Sequence, residues 1–188
     1  MYKNETRYAL INGVVLNGTR DMTPQTGKIV CVEGSRIAAV TDGPAPAGYE
    51  PVDLAGRYVL PGLINMHVHL PASGKPKKKH SDPRRLVKII TSSGLMRRVG
   101  IRLCEGYART ELLSGVTTIR TVGGVADFDT IIRDRAAAGE ILSPRVVASN
   151  MAVSVPGGHM AGSLAYEART PEETAAYVEK IAAEKPDL

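Results

Sequence analysis

The stretch that decides the fold covers residues 58–70 and reads YVLPGLINMHVHL. A Pro-Gly turn at Pro61 and Gly62 opens an apolar run that ends in two histidines separated by one residue. Side chains at i and i+2 of a β-strand point to the same side, so we expect His67 and His69 to project together and Val68 to face the other way. The stretch therefore predicts a buried strand that ends in two converging imidazoles.

The histidine pair predicts half of a metal site. Imidazole nitrogen is a common ligand of zinc and of the neighbouring transition metals. The alternative is that both are ordinary histidines near a strand edge, which is the better interpretation of an isolated His-x-His. Here the pair closes an apolar run that follows a Pro-Gly turn, which is where a barrel strand delivers residues to a catalytic mouth. We therefore interpret His67 and His69 as metal ligands.

Three stretches carry a family resemblance. Residues 60–69, LPGLINMHVH, resemble the characteristic stretch of the amidohydrolase superfamily, although members usually have Asp where this chain has Asn65. Residues 115–124, GVTTIRTVGG, are similar to the second barrel strand of amidohydrolases related to imidazolonepropionase and to the Xaa-Pro and Xaa-Arg dipeptidases, which commonly have Asp in place of Thr121. Residues 156–160, PGGHM, resemble the Gly-Gly-His stretch after the third strand in the same subgroup.

The resemblance implies an α/β fold: a (β/α)8 TIM barrel preceded by a small β-sandwich. Residues 1–58 contain short strands separated by turns and are assigned to the N-terminal part of the sandwich. Residues 59–188 alternate strand and helix patterns, which is typical of a parallel sheet, and are assigned to the first three strand–helix units of the barrel. A closed barrel needs eight strands and typically about 250 residues. The chain is therefore expected to be the N-terminal part of such an enzyme.

The local patterns also predict individual elements. In the first part, residues 52–54 and 58–60 are expected to form a final pair of strands across a turn at residues 55–57. In the second part, helices are expected within residues 82–113, with a break near residues 92–94, and at residues 127–138 and 170–184. Strands are expected at residues 115–124 and 144–150, where β-branched residues are frequent.

Two further residues are expected to have roles, His159 from the resemblance and Arg120 from its place in the sequence. His159 is expected to donate a hydrogen bond beside the metal centre and to steady a developing oxyanion; the alternative is that Gly157 and Gly158 form only a flexible turn. Arg120 lies near a strand end and is expected to hold a substrate carboxylate, although a structural ion pair is the alternative. One or two divalent ions, with zinc expected, and a carboxylated lysine just beyond Leu188 complete the implied centre.

The expected function is metal-dependent hydrolysis of a carbon–nitrogen bond by metal-activated water. The substrate is expected to be a dipeptide or a small carboxylate-bearing amide. One alternative is a cyclic amidohydrolase or deaminase on the same scaffold. Another is a non-catalytic barrel relative, which the pair of His67 and His69 argues against because a scaffold does not need it.

Charge and composition limit the partners. The net charge is +5, and residues 75–102 contain ten basic residues against one acid. This basic segment lacks interleaved aromatic residues for stacking on bases, so we expect no nucleic acid partner. It is either a solvated flap or a region that attracts a substrate carboxylate. We expect a homo-oligomer with a small-molecule or dipeptide substrate.

The compartment is expected to be the cytoplasm. No apolar run approaches the roughly 20 residues that span a bilayer, and the first residues, MYKNETR, lack the apolar core of a signal peptide. Cys31 and Cys104 are isolated from each other, which predicts free thiols in a reducing compartment.

Overall fold

A computed structural model describes residues 6–74 and 82–188, so that His80 and the lysines at positions 75 and 77–79 lie outside the described residues. The chain divides into two compact units, Met1–Pro61 and Gly62–Leu188. The first consists of strands and the second of strands and helices, which confirms the predicted α/β class. Within the described ranges, no helix is both long and apolar enough to cross a membrane.

Within residues 6–61 the structure has two small sheets. The strands are β1 (Arg7–Ile11), β2 (Val14–Val15), β3 (Gln25–Thr26), β4 (Lys28–Glu33), β5 (Arg36–Asp42), β6 (Glu50–Asp53) and β7 (Tyr58–Val59). Four strands pair in the order β5-β4-β1-β6 and three in the order β3-β2-β7. The buried side chains of Ala9, Ile29 and Cys31 form the core of this unit.

The predicted pairing of residues 52–54 with residues 58–60 is wrong. β6 pairs in parallel with β1, and β7 pairs in parallel with β2. The reason lies in two matched bends: the chain turns at Asn12, where φ is +57°, and again at Ala55 and Gly56, where φ is +49° and +80°. The Gly56 N–H donates to the Asn12 carbonyl at 2.7 Å. The two segments therefore run next to each other where each passes from the first sheet to the second.

The second unit alternates strands with helices. In chain order it contains β8 (Leu63–Val68), α1 (Pro83–Ile90), α2 (Gly94–Leu113), β9 (Val116–Thr121), α3 (Phe128–Ala137), β10 (Arg145–Val147), β11 (Ala152–Ser154), β12 (Ala165–Glu167) and α4 (Pro171–Ala182). β8, β9 and β10 form a parallel sheet in the order β10-β9-β8. The short parallel pair of β11 and β12 lies in the segment between β10 and α4 and has no counterpart among the predicted elements.

The helices begin where their capping residues allow. The predicted break near residues 92–94 is confirmed, because α1 ends at Ile90 and the Ser93 side chain accepts the Met96 N–H at the start of α2. The predicted start of α4 is also confirmed, with the Thr170 side chain accepting the Glu173 N–H. The Glu173 carboxylate reaches back to the Arg169 N–H at 2.6 Å, one residue before the cap.

The core of the second unit packs the helices against one face of the parallel sheet. Ile119 in the central strand β9 is fully buried, together with Phe128 and Ile132 of α3 and Cys104 of α2. Gly100 in α2 is required for this packing, since a Cβ there would lie 2.9 Å from both Ile90 and Phe128. The carboxyl ends of β8, β9 and β10 are thereby held at one edge.

Shortening Ile119 should destabilise the second unit in proportion to the atoms removed. Because the side chain is fully buried, Ile119→Val should lower the free energy of unfolding by about 0.5–1.5 kcal/mol and Ile119→Ala by about 2–5 kcal/mol. Urea unfolding of the wild type and the two variants measures this series. Equal stability of all three proteins would contradict the assignment of Ile119 to the core.

Candidate metal centre

The two histidines of the predicted pair lie together at the end of β8. His67 is the second-to-last residue of β8, and His69 directly follows the strand. Val68 between them is buried in the core, so both imidazoles project to the side of the strand opposite the Val68 side chain. The ring centroids are 5.2 Å apart and the ring planes are nearly perpendicular, at 77°. The structure therefore brings the two imidazoles within reach of one small ligand.

The protonation of His69 follows from its contact with the backbone. Its Nδ1 lies 2.9 Å from the carbonyl oxygen of Gly123, in the turn after β9. A carbonyl oxygen only accepts hydrogen bonds, so Nδ1 carries the proton and the lone pair of a neutral ring is on Nε2. Histidines that ligate metals usually donate their other ring N–H in this way. The geometry of His69 thus fits a divalent metal ligand.

The pair borders an open cavity of about 320 Å³. Its lining includes His67 and His69 together with Tyr107, Thr110 and Glu111 of α2. Across residues 6–74 and 82–188, however, no three His, Cys, Asp or Glu side chains come together in a cluster that could hold a metal ion. The two histidines therefore supply part of a ligand set and not a complete one.

Arg120 is anchored next to the histidine strand. Its Nε–H donates to the Met66 carbonyl at 2.9 Å. Ile119 and Thr121 on either side of Arg120 are buried, so the alternation of β9 directs Arg120 to the same sheet face as the two imidazoles. In the described ranges the guanidinium forms no ion pair, so the predicted alternative of a structural salt bridge is not observed there.

His159 lies on an exposed loop between β11 and β12. The loop is tightly turned, with the Gly158 N–H bonded to the Val155 carbonyl at 2.9 Å and Gly157 at a φ of +67°. Within the part of the chain that the structure describes, no contact joins His159 to the histidine pair. The structure thus brings three of the four predicted site residues to one sheet face and leaves the fourth on a separate loop.

A buried polar cluster behind the pair was not predicted from the sequence. It comprises Thr121, Asp129, Thr130, Ser149 and Asn150, of which all but Ser149 are almost completely buried. The Asn150 side chain accepts the Thr130 N–H at 3.1 Å, which ties the end of β10 to the start of α3. The sequence signal that could have revealed the cluster is the Gly-Gly pair after β9, because a tight turn there needs polar partners.

Asp129 is the most unusual member of this cluster. It is completely buried, and neither carboxylate oxygen has a hydrogen-bond partner of ordinary geometry among the described residues. Burial raises its pKa from 3.8 to about 6, and the nearby Thr121 hydroxyl, the Asn150 backbone and His69 offset only part of that rise. The carboxylate lies against Gly124, where an added Cβ would be 2.5 Å from Oδ2.

Comparison with known proteins identifies the family. Residues 58–187 match the Amidohydrolase family, and the chain belongs to that family. Among curated proteins it is 41% identical over 54 residues to an imidazolonepropionase of Hyphomonas neptunium, and the match covers 24% of this chain and 13% of the relative. It is 38% identical over 72 residues to a dihydroorotase of Bacillus pumilus, which is 38% of this chain and 16% of the relative.

Solved structures share the fold over almost the whole chain. A proposed prolidase of Bifidobacterium longum matches with a TM-score of 0.72 and 29% identity, over 98% of this chain and 40% of that one. A Xaa-Pro dipeptidase with methionine bound in its active site matches with a TM-score of 0.71 and 23% identity, over 97% of this chain and 46% of that one. The chain therefore spans less than half the length of these structures.

The raised pKa of Asp129 predicts a pH-dependent stability. Because the pKa is higher in the folded chain (about 6) than the ordinary 3.8, the folded state holds the proton more tightly. Protonated Asp129 therefore stabilises the fold fully below about pH 4, and this stabilisation is lost as the pH rises through about 6. The free energy of unfolding falls by about 3 kcal/mol over this range. Asp129→Asn cannot ionise and should remove this part of the pH dependence, as measured by urea unfolding of the chelator-treated protein.

The matched control is Asp134→Asn in the same helix, because that side chain is exposed. It should keep the wild-type pH profile of the unfolding free energy. Parallel profiles for Asp129→Asn and the wild type would contradict a buried, titrating Asp129.

Proposed function

We propose that this protein is a metal-dependent hydrolase that cleaves a carbon–nitrogen bond in a dipeptide or a small carboxylate-bearing amide. The observation that carries the proposal is the state of His69, whose Nδ1–H is bound by Gly123 while Nε2 remains for a ligand beside His67. Membership of the Amidohydrolase family and the presence of hydrolases among the similar proteins support the reaction class.

The proposed architecture is the N-terminal part of a larger enzyme. Residues 59–188 form the first three strand–helix units of a (β/α)8 barrel, and residues 1–58 form the N-terminal part of a β-sandwich. The parallel sheet of β8, β9 and β10 supports the first assignment, since parallel strands alternating with helices build such barrels. Later strands and a carboxylated lysine beyond Leu188 then supply the remaining ligands of one or two zinc ions.

Each proposed site residue has a defined task. His67 and His69 hold the ion, and when bound, a divalent ion lowers the pKa of water towards about 7 and polarises an amide carbonyl. Arg120, fixed through Nε on the Met66 carbonyl, offers its terminal N–H groups to a substrate carboxylate. His159, accessible on its loop, donates a hydrogen bond to the oxygen on which negative charge develops.

The second candidate function is a cyclic amidohydrolase or deaminase on the same scaffold. The matches to an imidazolonepropionase and to dihydroorotases favour it. The two candidates are separated by assaying the purified full-length protein against free dipeptides and against cyclic amides. The position of Arg120 beside the histidine pair supports the dipeptide over a neutral cyclic amide, because a guanidinium binds a free carboxylate well.

The cellular setting is also proposed. Cys31 and Cys104 are both free and buried, which supports a reducing compartment such as the cytoplasm. We propose a homo-oligomer that has neither a nucleic acid nor a membrane as its partner. Its ligand is a small molecule or a dipeptide.

Replacing one proposed ligand tests the function directly. His67→Asn should remove both the bound metal and the activity, because one imidazole fewer leaves the ion under-coordinated. Elemental analysis of the full-length protein after gel filtration, alongside a chelator-reversible hydrolysis assay, measures both. The matched variant His159→Ala should retain the metal and lower kcat on the order of 10²–10³-fold. A His67→Asn protein with full metal content and activity would refute the ligand assignment.

The role of Arg120 predicts a substrate-dependent effect. Arg120→Ala should raise KM on the order of 10- to 100-fold for dipeptides with a free carboxylate, because a charged hydrogen bond is lost. The same dipeptides with an amidated C-terminus should show little change, and they serve as the control in steady-state kinetics. An equal rise in KM for both substrate sets would show that Arg120 supports β8 through the Met66 carbonyl and does not bind the substrate carboxylate.

A further inference from the structure

The turn that holds His69 contains a backbone conformation that needs support. Gly123 has a φ of +134°, a value that L residues rarely adopt, and a Cβ there would lie 3.5 Å from the His69 ring. The Gly123 carbonyl is the acceptor for Nδ1–H of His69 at 2.9 Å. Any shift of this turn therefore changes the position or the protonated nitrogen of the imidazole.

The end of the third parallel strand supports both peptide groups of the turn. The Gly123 N–H donates to the Ser149 hydroxyl at 3.0 Å. The Gly124 N–H belongs to the same peptide group as the Gly123 carbonyl, and it donates to the Asn150 carbonyl at 2.7 Å. A peptide that is bonded at both ends is polarised, which strengthens the bond that its carbonyl accepts.

Ser149 itself is fixed in position. Its N–H donates to the Thr121 hydroxyl at 2.9 Å, and the two hydroxyl oxygens are 3.3 Å apart. Its own hydroxyl has the Asn150 carbonyl as a further acceptor at 3.3 Å. Behind the turn, the Asp129 carboxylate fills the space beside Gly124. Hydrogen bonds thus connect the end of β10 through the turn after β9 to the histidine at the end of β8.

We propose that Ser149 is a positioning residue for the metal centre, acting through Gly123 to keep the proton of His69 on Nδ1 and Nε2 towards the metal. This inference rests on the proposed function for its purpose and on the hydrogen bonds for its mechanism. Without the hydroxyl, the buried Gly123 N–H loses its partner and the turn rearranges to find another. The proton of the neutral His69 ring can then lie on either Nδ1 or Nε2.

Ser149→Ala in the full-length protein tests the proposal with two readouts. In the metal-free protein at alkaline pH, nitrogen-15 NMR of labelled histidine should show His69 changing from one tautomer to a mixture. Zinc affinity, from competition with a chromophoric chelator, should fall on the order of 10- to 100-fold, as is usual when a residue behind a metal ligand is lost. Ser149→Thr retains the hydroxyl and should restore both readouts.

Ser143→Ala is the matched control, because the Ser143 hydroxyl bonds to the Pro144 carbonyl before β10 and not to the turn. It should leave both readouts unchanged. A Ser149→Ala protein with the wild-type tautomer would overturn the proposal, even if its zinc affinity fell. A wild-type protein that binds no zinc would instead overturn the proposed function, while the tautomer result would still decide the role of Ser149.

Discussion

The hydrogen bond from Nδ1 of His69 to the Gly123 carbonyl is the constraint on which the candidate site depends. An imidazole at a strand end has two nitrogens, and only a ring held by one of them presents the other at a fixed place. This bond joins β8 to the turn after β9. Because Gly123 has a φ of +134°, this turn depends on the hydrogen bonds that Ser149 and Asn150 make to it. The site is therefore a property of adjacent strands and not of the His-x-His sequence alone.

The buried polar cluster behind the turn after β9 contains an energetically unfavourable group, the carboxylate of Asp129. Asp129 lies in the interior without an ordinary hydrogen-bond partner among the described residues, and burying a carboxylate in this way is unfavourable. Gly124 has no side chain, so the carboxyl group can lie directly against its backbone. Perturbed carboxyl groups of this kind concentrate at functional sites, which agrees with the location of Asp129 behind His69.

Local sequence patterns were sufficient for much of the fold. The Pro-Gly turn and apolar run before His67 predicted β8. The expected helix break near residues 92–94 and the expected helix from residue 170 were also found. Patterns failed where long-range contacts decide the outcome. The partner of β7 depends on the bend at Asn12, more than 40 residues away along the chain. The three-residue strands β11 and β12 are too short to produce a periodic pattern.

The candidate site was predictable only in part for the same reason. The proximity of the two imidazoles follows from strand geometry, so it could be predicted from residues 67–69. An acidic residue in the first turn of a helix is normally solvent-exposed, so nothing local predicted that Asp129 is buried. Ser149 has no distinguishing sequence context, and its contact with Gly123 exists only because β10 pairs with β9.

The most direct test of the central claim is the location of bound zinc in crystals of the full-length protein. An anomalous difference map at the zinc absorption edge should show a peak about 2.0–2.1 Å from Nε2 of His69 and from a ring nitrogen of His67. Nδ1 of His69 should remain bonded to the Gly123 carbonyl. A zinc peak away from the two imidazoles, or on Nδ1 of His69, would contradict the account.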